Sequence, residues 1–169
     1  MAMAASSARY DGRRDPSVER DDQLMRAALR LARLAAPYPN PPVGALVVLG
    51  RDIVGAGYHQ RAGGAHAEIA ALRAAQQLSR GADLYVTLEP CNHHGRTPPC
   101  VDAILRAGVK RVVVGCLDPN RQVCGGGSAR LLAAGVHVVF GPWRSDAEAL
   151  IADWRARLGP LAPTLPHKS

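Results

Sequence analysis

The chain has 169 residues, 47% of them hydrophobic and 21% charged, which fits one globular domain able to bury a core. A formal charge of +7 would suit a nucleic-acid partner, but Arg26, Arg30, Arg33, Arg51, Arg73, Arg106, Arg130 and Arg155 are scattered and aromatics make up only 4%, so a solvated face or attraction for a small phosphorylated substrate is the better account and no nucleic-acid partner is expected. No apolar run approaches the roughly 18 residues of a membrane span, and residues 1–20 lack the apolar core of a signal peptide, so a cytoplasmic protein with no membrane partner is expected.

Residues 1–20, rich in Ala, Ser, Arg and Asp, read as a mobile leader ahead of a domain over 21–158 and a Pro-rich tail over 159–169. From Asp21 the spacing of Leu24, Ala28, Leu31 and Ala35 predicts a helix, with Asp21 or Asp22 as its cap and Pro37 ending it. The apolar run 43–49 predicts a strand covered on both faces, and the Gly50-Arg51-Asp52 turn leads into a second strand, 53–58, to make a hairpin. A helix over 66–79 would bury Ile69, Leu72 and Leu78, with Gly81 just past its end. Strand and helix then alternate as strand 84–88, helix 98–107, strand 111–115, helix 128–134 and strand 136–140, followed by a last helix over 145–158. This alternation implies parallel strands joined by right-handed crossovers, and the whole predicts a three-layer α/β/α sandwich around a five-stranded mixed sheet.

His66-Ala67-Glu68 at a helix start and Pro90-Cys91 after a strand, with Cys100 beyond, form the chemically informative stretch. One imidazole and two thiolates suit Zn²⁺, and three protein ligands leave a fourth tetrahedral position for water, the mark of a catalytic site. Glu68, two residues after the candidate ligand His66, can stand beside the metal as a proton acceptor. His-x-Glu with Pro-Cys is the signature of zinc nucleobase deaminases, whose cysteines usually stand two residues apart, whereas here eight residues separate Cys91 from Cys100. Structural zinc sites favour cysteine pairs two to four residues apart, which also sets this pattern apart from a Cys-rich structural cluster with Cys116 and Cys124. Cys116 at a strand end reads as a small buried hydrophobe. Thr97 suits an N-cap and Pro98 a first helical position, so Cys100 would lie in a first helical turn and two helix N-termini would aim at the metal.

Asn40-Pro41-Pro42-Val43-Gly44, the segment 57–63 (GYHQRAG), His66-Ala67-Glu68, the segment 85–91 (YVTLEPC), the segment 93–100 (HHGRTPPC) and Asp118-Pro119-Asn120 closely resemble the deaminase domain of bacterial riboflavin biosynthesis, over roughly residues 21–158. The resemblance implies a cytidine-deaminase-like fold, zinc as cofactor on His66, Cys91 and Cys100, and Glu68 as catalytic proton shuttle. It further implies substrate contacts from Asn40, His59, His93, Arg96, Asp118 and Asn120, with Arg96 suited to phosphate, and the backbone around Ala67 and Cys91 is placed to hold the ring. His94 reads as loop polarity. Departures from the family pattern stand at Ala65, Arg121, Cys124 and Gly126.

The implied reaction is hydrolytic deamination of 2,5-diamino-6-(ribosylamino)pyrimidin-4-one 5'-phosphate to the corresponding uracil. Other small-molecule deaminases would share the zinc residues, a nucleic-acid deaminase would be expected to concentrate its basic residues, and a non-catalytic zinc protein would have no need of Glu68. Gly125-Gly126-Gly127 is too short for a dinucleotide loop, so a stand-alone deaminase with a separate reductase partner is expected, as is a homo-oligomer, dimer or higher.

Overall fold

The structure is a computed structural model and describes residues 15–94, 98–120, 125–141 and 143–158. Helix α1 is Pro16–Ala32, followed by β1 (Gly44–Leu49), β2 (Asp52–Tyr58) and α2 (Ala67–Ala75). Strand β3 (Asp83–Leu88), α3 (Cys100–Ala107), β4 (Arg111–Cys116), α4 (Gly126–Ala133), β5 (His137–Phe140), α5 (Arg144–Leu150) and α6 (Ala152–Arg157) complete the chain. The sheet runs β2-β1-β3-β4-β5: β1 is antiparallel to both β2 and β3, and β3, β4 and β5 are parallel, as their intervening helices require.

The three layers can be read from two glycines. Ala45 of β1 pairs with Gly57 of β2, so the side-chain positions of Gly44 and Gly57 fall on opposite faces. A Cβ on Gly44 would lie 2.2 Å from the Ala28 carbonyl oxygen of α1, and one on Gly57 would lie 2.6 Å from the Ala67 carbonyl oxygen of α2. Thus α1 and α2 cover opposite faces, and each rests on the sheet where a side chain has been removed. Helix α5 joins α1 on its face, while α3 lies between α2 and α4 on the other. Central β1 is buried on both sides, as its unbroken apolar sequence predicts.

Several boundaries differ from those expected. Helix α1 starts at Pro16 rather than Asp21: Asp15 is the N-cap, accepting the Ser17 N–H at 2.8 Å, and Pro16 takes N1 where no N–H is needed. Residues 16–20, read above as the end of a leader, are therefore helical, and Asp21 is buried inside the helix rather than capping it. The buried stripe is Met25, Ala28, Leu29 and Ala32, one residue out of step with Leu24 and Leu31.

In α2 the buried positions are Ala67, Glu68, Ala71, Leu72 and Ala75, because alanines fit closely over Gly55 and Gly57; beyond the left-handed Gln76 the chain continues as a 3₁₀ turn that leaves Leu78 52% exposed. Helix α3 begins at Cys100 rather than Pro98, with Pro99 as cap, and Thr97 lies outside the described residues. The expected last helix is two, α5 and α6, broken at Ile151. Residues 1–14 and the expected tail, 159–169, lie outside the described residues. Among the described residues, no helix is long and apolar enough to cross a membrane.

Candidate functional site

The parallel strands β3 and β4 end side by side, and the segments following them carry Cys91 and Asp118 to the same edge of the sheet. Opposite them stands the start of α2, where His66 is the N-cap, and Cys100 is the first residue of α3. The His66 Nδ1 atom lies 3.1 Å from the Cys100 Sγ and 3.6 Å from the Cys91 Sγ, so Nδ1 is the nitrogen turned toward the thiols. Within this trio the donor atoms all lie inside 4.8 Å of one another, and Cys91 Sγ also accepts the Cys100 backbone N–H at 3.3 Å.

The protonation states show why such a trio suits a cation. The Cys100 thiol pushes the Cys91 pKa down to about 4, with help from His66 and against the opposing effect of burial. Its bond to Cys91 and burial drive the Cys100 pKa strongly upward, so the two sulfurs oppose being thiolates together. Contact with Cys91 raises the His66 pKa. A divalent ion removes this conflict, since it favours both sulfurs as thiolates and leaves the imidazole neutral as a ligand. One histidine and two cysteines, gathered at two helix N-termini, therefore fit zinc with one coordination position left open.

Glu68 is buried to 4% exposure in the first turn of α2 and interacts with the Cys100 sulfur. Burial first, and then the Cys91 thiolate, push its pKa up to about 7. A carboxyl group that titrates near neutrality can both take up and return a proton in one turnover.

A cavity of about 450 Å³ opens above these residues. Of the expected site residues, it is lined by Asn40, His59, His66, Ala67, Glu68, Cys91, His93, Asp118 and Asn120, while Cys100 lies beneath, fully buried. His59 is 3% exposed; its Nδ1 lies 2.9 Å from the Ala65 carbonyl oxygen, its Nε2 lies 2.9 Å from the Asn40 side-chain amide, and its ring meets His66 edge-on at 5.3 Å. Asp118 Oδ1 accepts the Asn120 N–H at 2.9 Å, and burial raises the Asp118 carboxyl pKa. His94 is exposed and Cys116 is buried away from the cluster, its thiol directed at the Thr87 carbonyl oxygen at 3.5 Å. Arg96, Arg121 and Cys124 lie outside the described residues.

The sequence reading assigned no role to Trp154 or Glu89, both of which line the cavity. Trp154 reaches the cavity from α6, and no local pattern links it to a site far earlier in the chain. Glu89, 5% exposed, lines the cavity and accepts backbone N–H groups. The one available signal was a charged residue between an apolar strand and Pro90.

Comparison with known proteins gives the same picture. Residues 18–116 match the family model of the cytidine and deoxycytidylate deaminase zinc-binding region. The chain is 54% identical over 132 residues to the riboflavin biosynthesis protein RibD of Escherichia coli (strain K12), covering 77% of this chain and 36% of that protein, so it spans about a third of that relative's length. It is 44% identical to a diaminohydroxyphosphoribosylamino-pyrimidine deaminase of Buchnera aphidicola subsp. Schizaphis graminum, covering 76% of this chain and 89% of that one. The solved structure of Acinetobacter baumannii RibD superposes with a TM-score of 0.82 at 42% identity, over 84% of this chain and 41% of that chain. With its five-stranded mixed sheet and its His66, Cys91 and Cys100 cluster, the chain belongs to the cytidine and deoxycytidylate deaminase zinc-binding family.

Proposed function

We propose that the chain deaminates a phosphoribosylaminopyrimidine, 2,5-diamino-6-(ribosylamino)pyrimidin-4-one 5'-phosphate, giving the 5-amino-6-(phosphoribosylamino)uracil and ammonia in riboflavin biosynthesis. The observation that carries the chemistry is the buried carboxyl of Glu68 beside the His66, Cys91 and Cys100 cluster on the cavity wall. The choice of substrate is supported by the names of the two relatives and by Asn40, His59, His93, Asp118 and Asn120 lining that cavity.

His66, Cys91 and Cys100 would hold zinc, which would act as a Lewis acid able to lower the pKa of a water toward about 7. Glu68 accepts a proton from the attacking water and passes it to the ring nitrogen, then takes the second proton from the hydroxyl on the tetrahedral carbon and delivers it to the departing amine. Water is consumed, the bond between the ring carbon and its exocyclic amine breaks, a carbonyl takes the amine's place, and ammonia leaves. Asn40, His59, His93, Asp118 and Asn120 contact the substrate, and the backbone around Ala67 and Cys91 holds it. Arg96 is assigned to the phosphate. A cytoplasmic location and a homo-oligomer belong to the same proposal.

The test is a substrate panel on zinc-loaded protein, followed by ammonia release. The phosphorylated ribosylaminopyrimidine should be turned over far better than its dephosphorylated form, with cytidine, adenosine and tRNA poor. Preference for an unphosphorylated nucleoside would overturn the substrate and leave the deaminase chemistry.

A further inference from the structure

We propose that Glu89 is a positioning residue: its buried carboxylate fastens both ends of the segment between β4 and α4, and so sets where Asp118 and Asn120 stand in the cavity. Glu89 Oε2 accepts the backbone N–H of Asp118 at 3.3 Å and that of Gly125 at 2.8 Å. Glu89 Oε1 accepts the Ser128 N–H at 2.9 Å. One oxygen thus closes the segment at residues 118 and 125, and the other holds the first turn of α4, where the helix dipole favours an anion.

The main chain around Glu89 is equally committed. Its N–H donates to the Cys116 carbonyl oxygen at 2.9 Å, which ties it to the end of β4. Asn92 Nδ2 donates to the Gly126 carbonyl oxygen at 3.3 Å. A Cβ on Gly127 would fall 1.9 Å from the Pro90 carbonyl oxygen, so α4 sits directly on the segment that contains Cys91. In the glycine run 125–127, too short for a nucleotide loop, Gly127 is accounted for by this close approach and Gly125 by its φ of 75°. The metal-side residue Cys91 and the substrate-side residues Asp118 and Asn120 are consequently built on one joint, and that joint is Glu89.

Glutamine is the informative replacement, because one acceptor oxygen becomes an NH₂ that faces an N–H donor and at least one of the three bonds is lost. In zinc-loaded Glu89→Gln, amide hydrogen exchange at Asp118, Gly125 and Ser128 should accelerate at least about 10-fold while β4 amides such as Val113 keep their protection. On the deaminase reading, which the kinetic consequence rests on, KM should rise at least about 10-fold with kcat falling far less and zinc content unchanged. Unchanged exchange, loss of zinc, or a fall in kcat at constant KM would each overturn the proposal.

Gly127→Ala keeps the carboxylate and pushes the first turn of α4 off Pro90, so it should raise KM in the same way. It decides the matter where Glu89→Gln does not fold; wild-type KM in Gly127→Ala, or collapse of both variants, overturns the positioning role. A wild-type protein that ignores the ribosylaminopyrimidine while the exchange result holds would remove the substrate reading and leave the Glu89 joint in place.

Discussion

The Asn40 side-chain amide nitrogen and the His59 Nε2 atom stand 2.9 Å apart, on the wall of the cavity that Glu68 also lines. Because the Ala65 carbonyl oxygen beside His59 Nδ1 can only accept, Nδ1 carries the hydrogen and, in the neutral ring, Nε2 accepts from Asn40. The Asn40 amide is thereby oriented with its oxygen free for a donor on the substrate, such as an exocyclic amine. Asn40→Ala should lower kcat/KM by about 10-fold or more, the scale of one lost hydrogen bond plus an unsatisfied partner. Unchanged kcat/KM in a folded, zinc-loaded variant would contradict this orientation.

Purified protein should hold about one zinc per chain, as three ligands and one open position require. Elemental analysis of Cys91→Ala and Cys100→Ala should show metal loss, whereas Cys116→Ala should keep it, since Cys116 is buried against Thr87 and apart from the cluster. Loss of metal in the Cys116 variant alone would overturn the ligand assignment.

Against the inner strands β3 and β4, Asp21 of α1 pairs with Arg111 at the start of β4 and accepts the Tyr85 hydroxyl at 2.6 Å. Burial alone would raise the Asp21 carboxyl pKa, but the bonds from Arg111 and Tyr85 outweigh it and hold it below the ordinary range. A depressed folded-state pKa contributes stability that is complete above the unfolded value, about 3.9, and is lost as pH falls through the lower folded value. Asp21→Asn should therefore cost roughly 2 kcal/mol at pH 7 in urea unfolding, with the gap to wild type closing below about pH 4. A gap that stays constant on acidification would show that the pair does not act through charge.

The chain has two tryptophans, of which Trp143 is 3% exposed and donates its indole N–H to Asp22 at 2.8 Å, while Trp154 faces the cavity. Adding pyrimidine substrate to zinc-loaded Glu68→Gln protein should change the emission of Trp154, and the change should vanish once Trp154→Phe is added. A signal that survives Trp154→Phe would mean that α6 does not border the bound ring.

The sequence made the metal cluster legible because zinc chemistry admits few residue types, and His66, Glu68, Cys91 and Cys100 sit where helix and strand ends can gather them. Strands were equally plain, since β1, β3 and β4 are covered on both faces and read as apolar runs. Helix starts were less so. Asp15, Asp21 and Asp22 all qualify as caps, and Pro16 at N1 is what favours the first. The alanine face of α2 follows from Gly55 and Gly57 on another strand, a fit that periodicity within the helix does not contain. The break at Ile151 carries no Gly or Pro to announce it. Glu89 and Trp154 acquire meaning only through partners far away in sequence, at Asp118, Gly125 and Ser128 for the first and at the cavity for the second.

The central claim is that Glu68 moves the proton in hydrolytic deamination at a zinc site built by this chain. The most direct measurement is the rate of ammonia release from the phosphorylated ribosylaminopyrimidine by zinc-loaded Glu68→Gln, with zinc content and substrate binding measured on the same sample. Metal and substrate should bind while release slows by at least about 10²-fold, the scale of general acid-base catalysis. Near-normal release from the fully zinc-loaded variant would contradict the account.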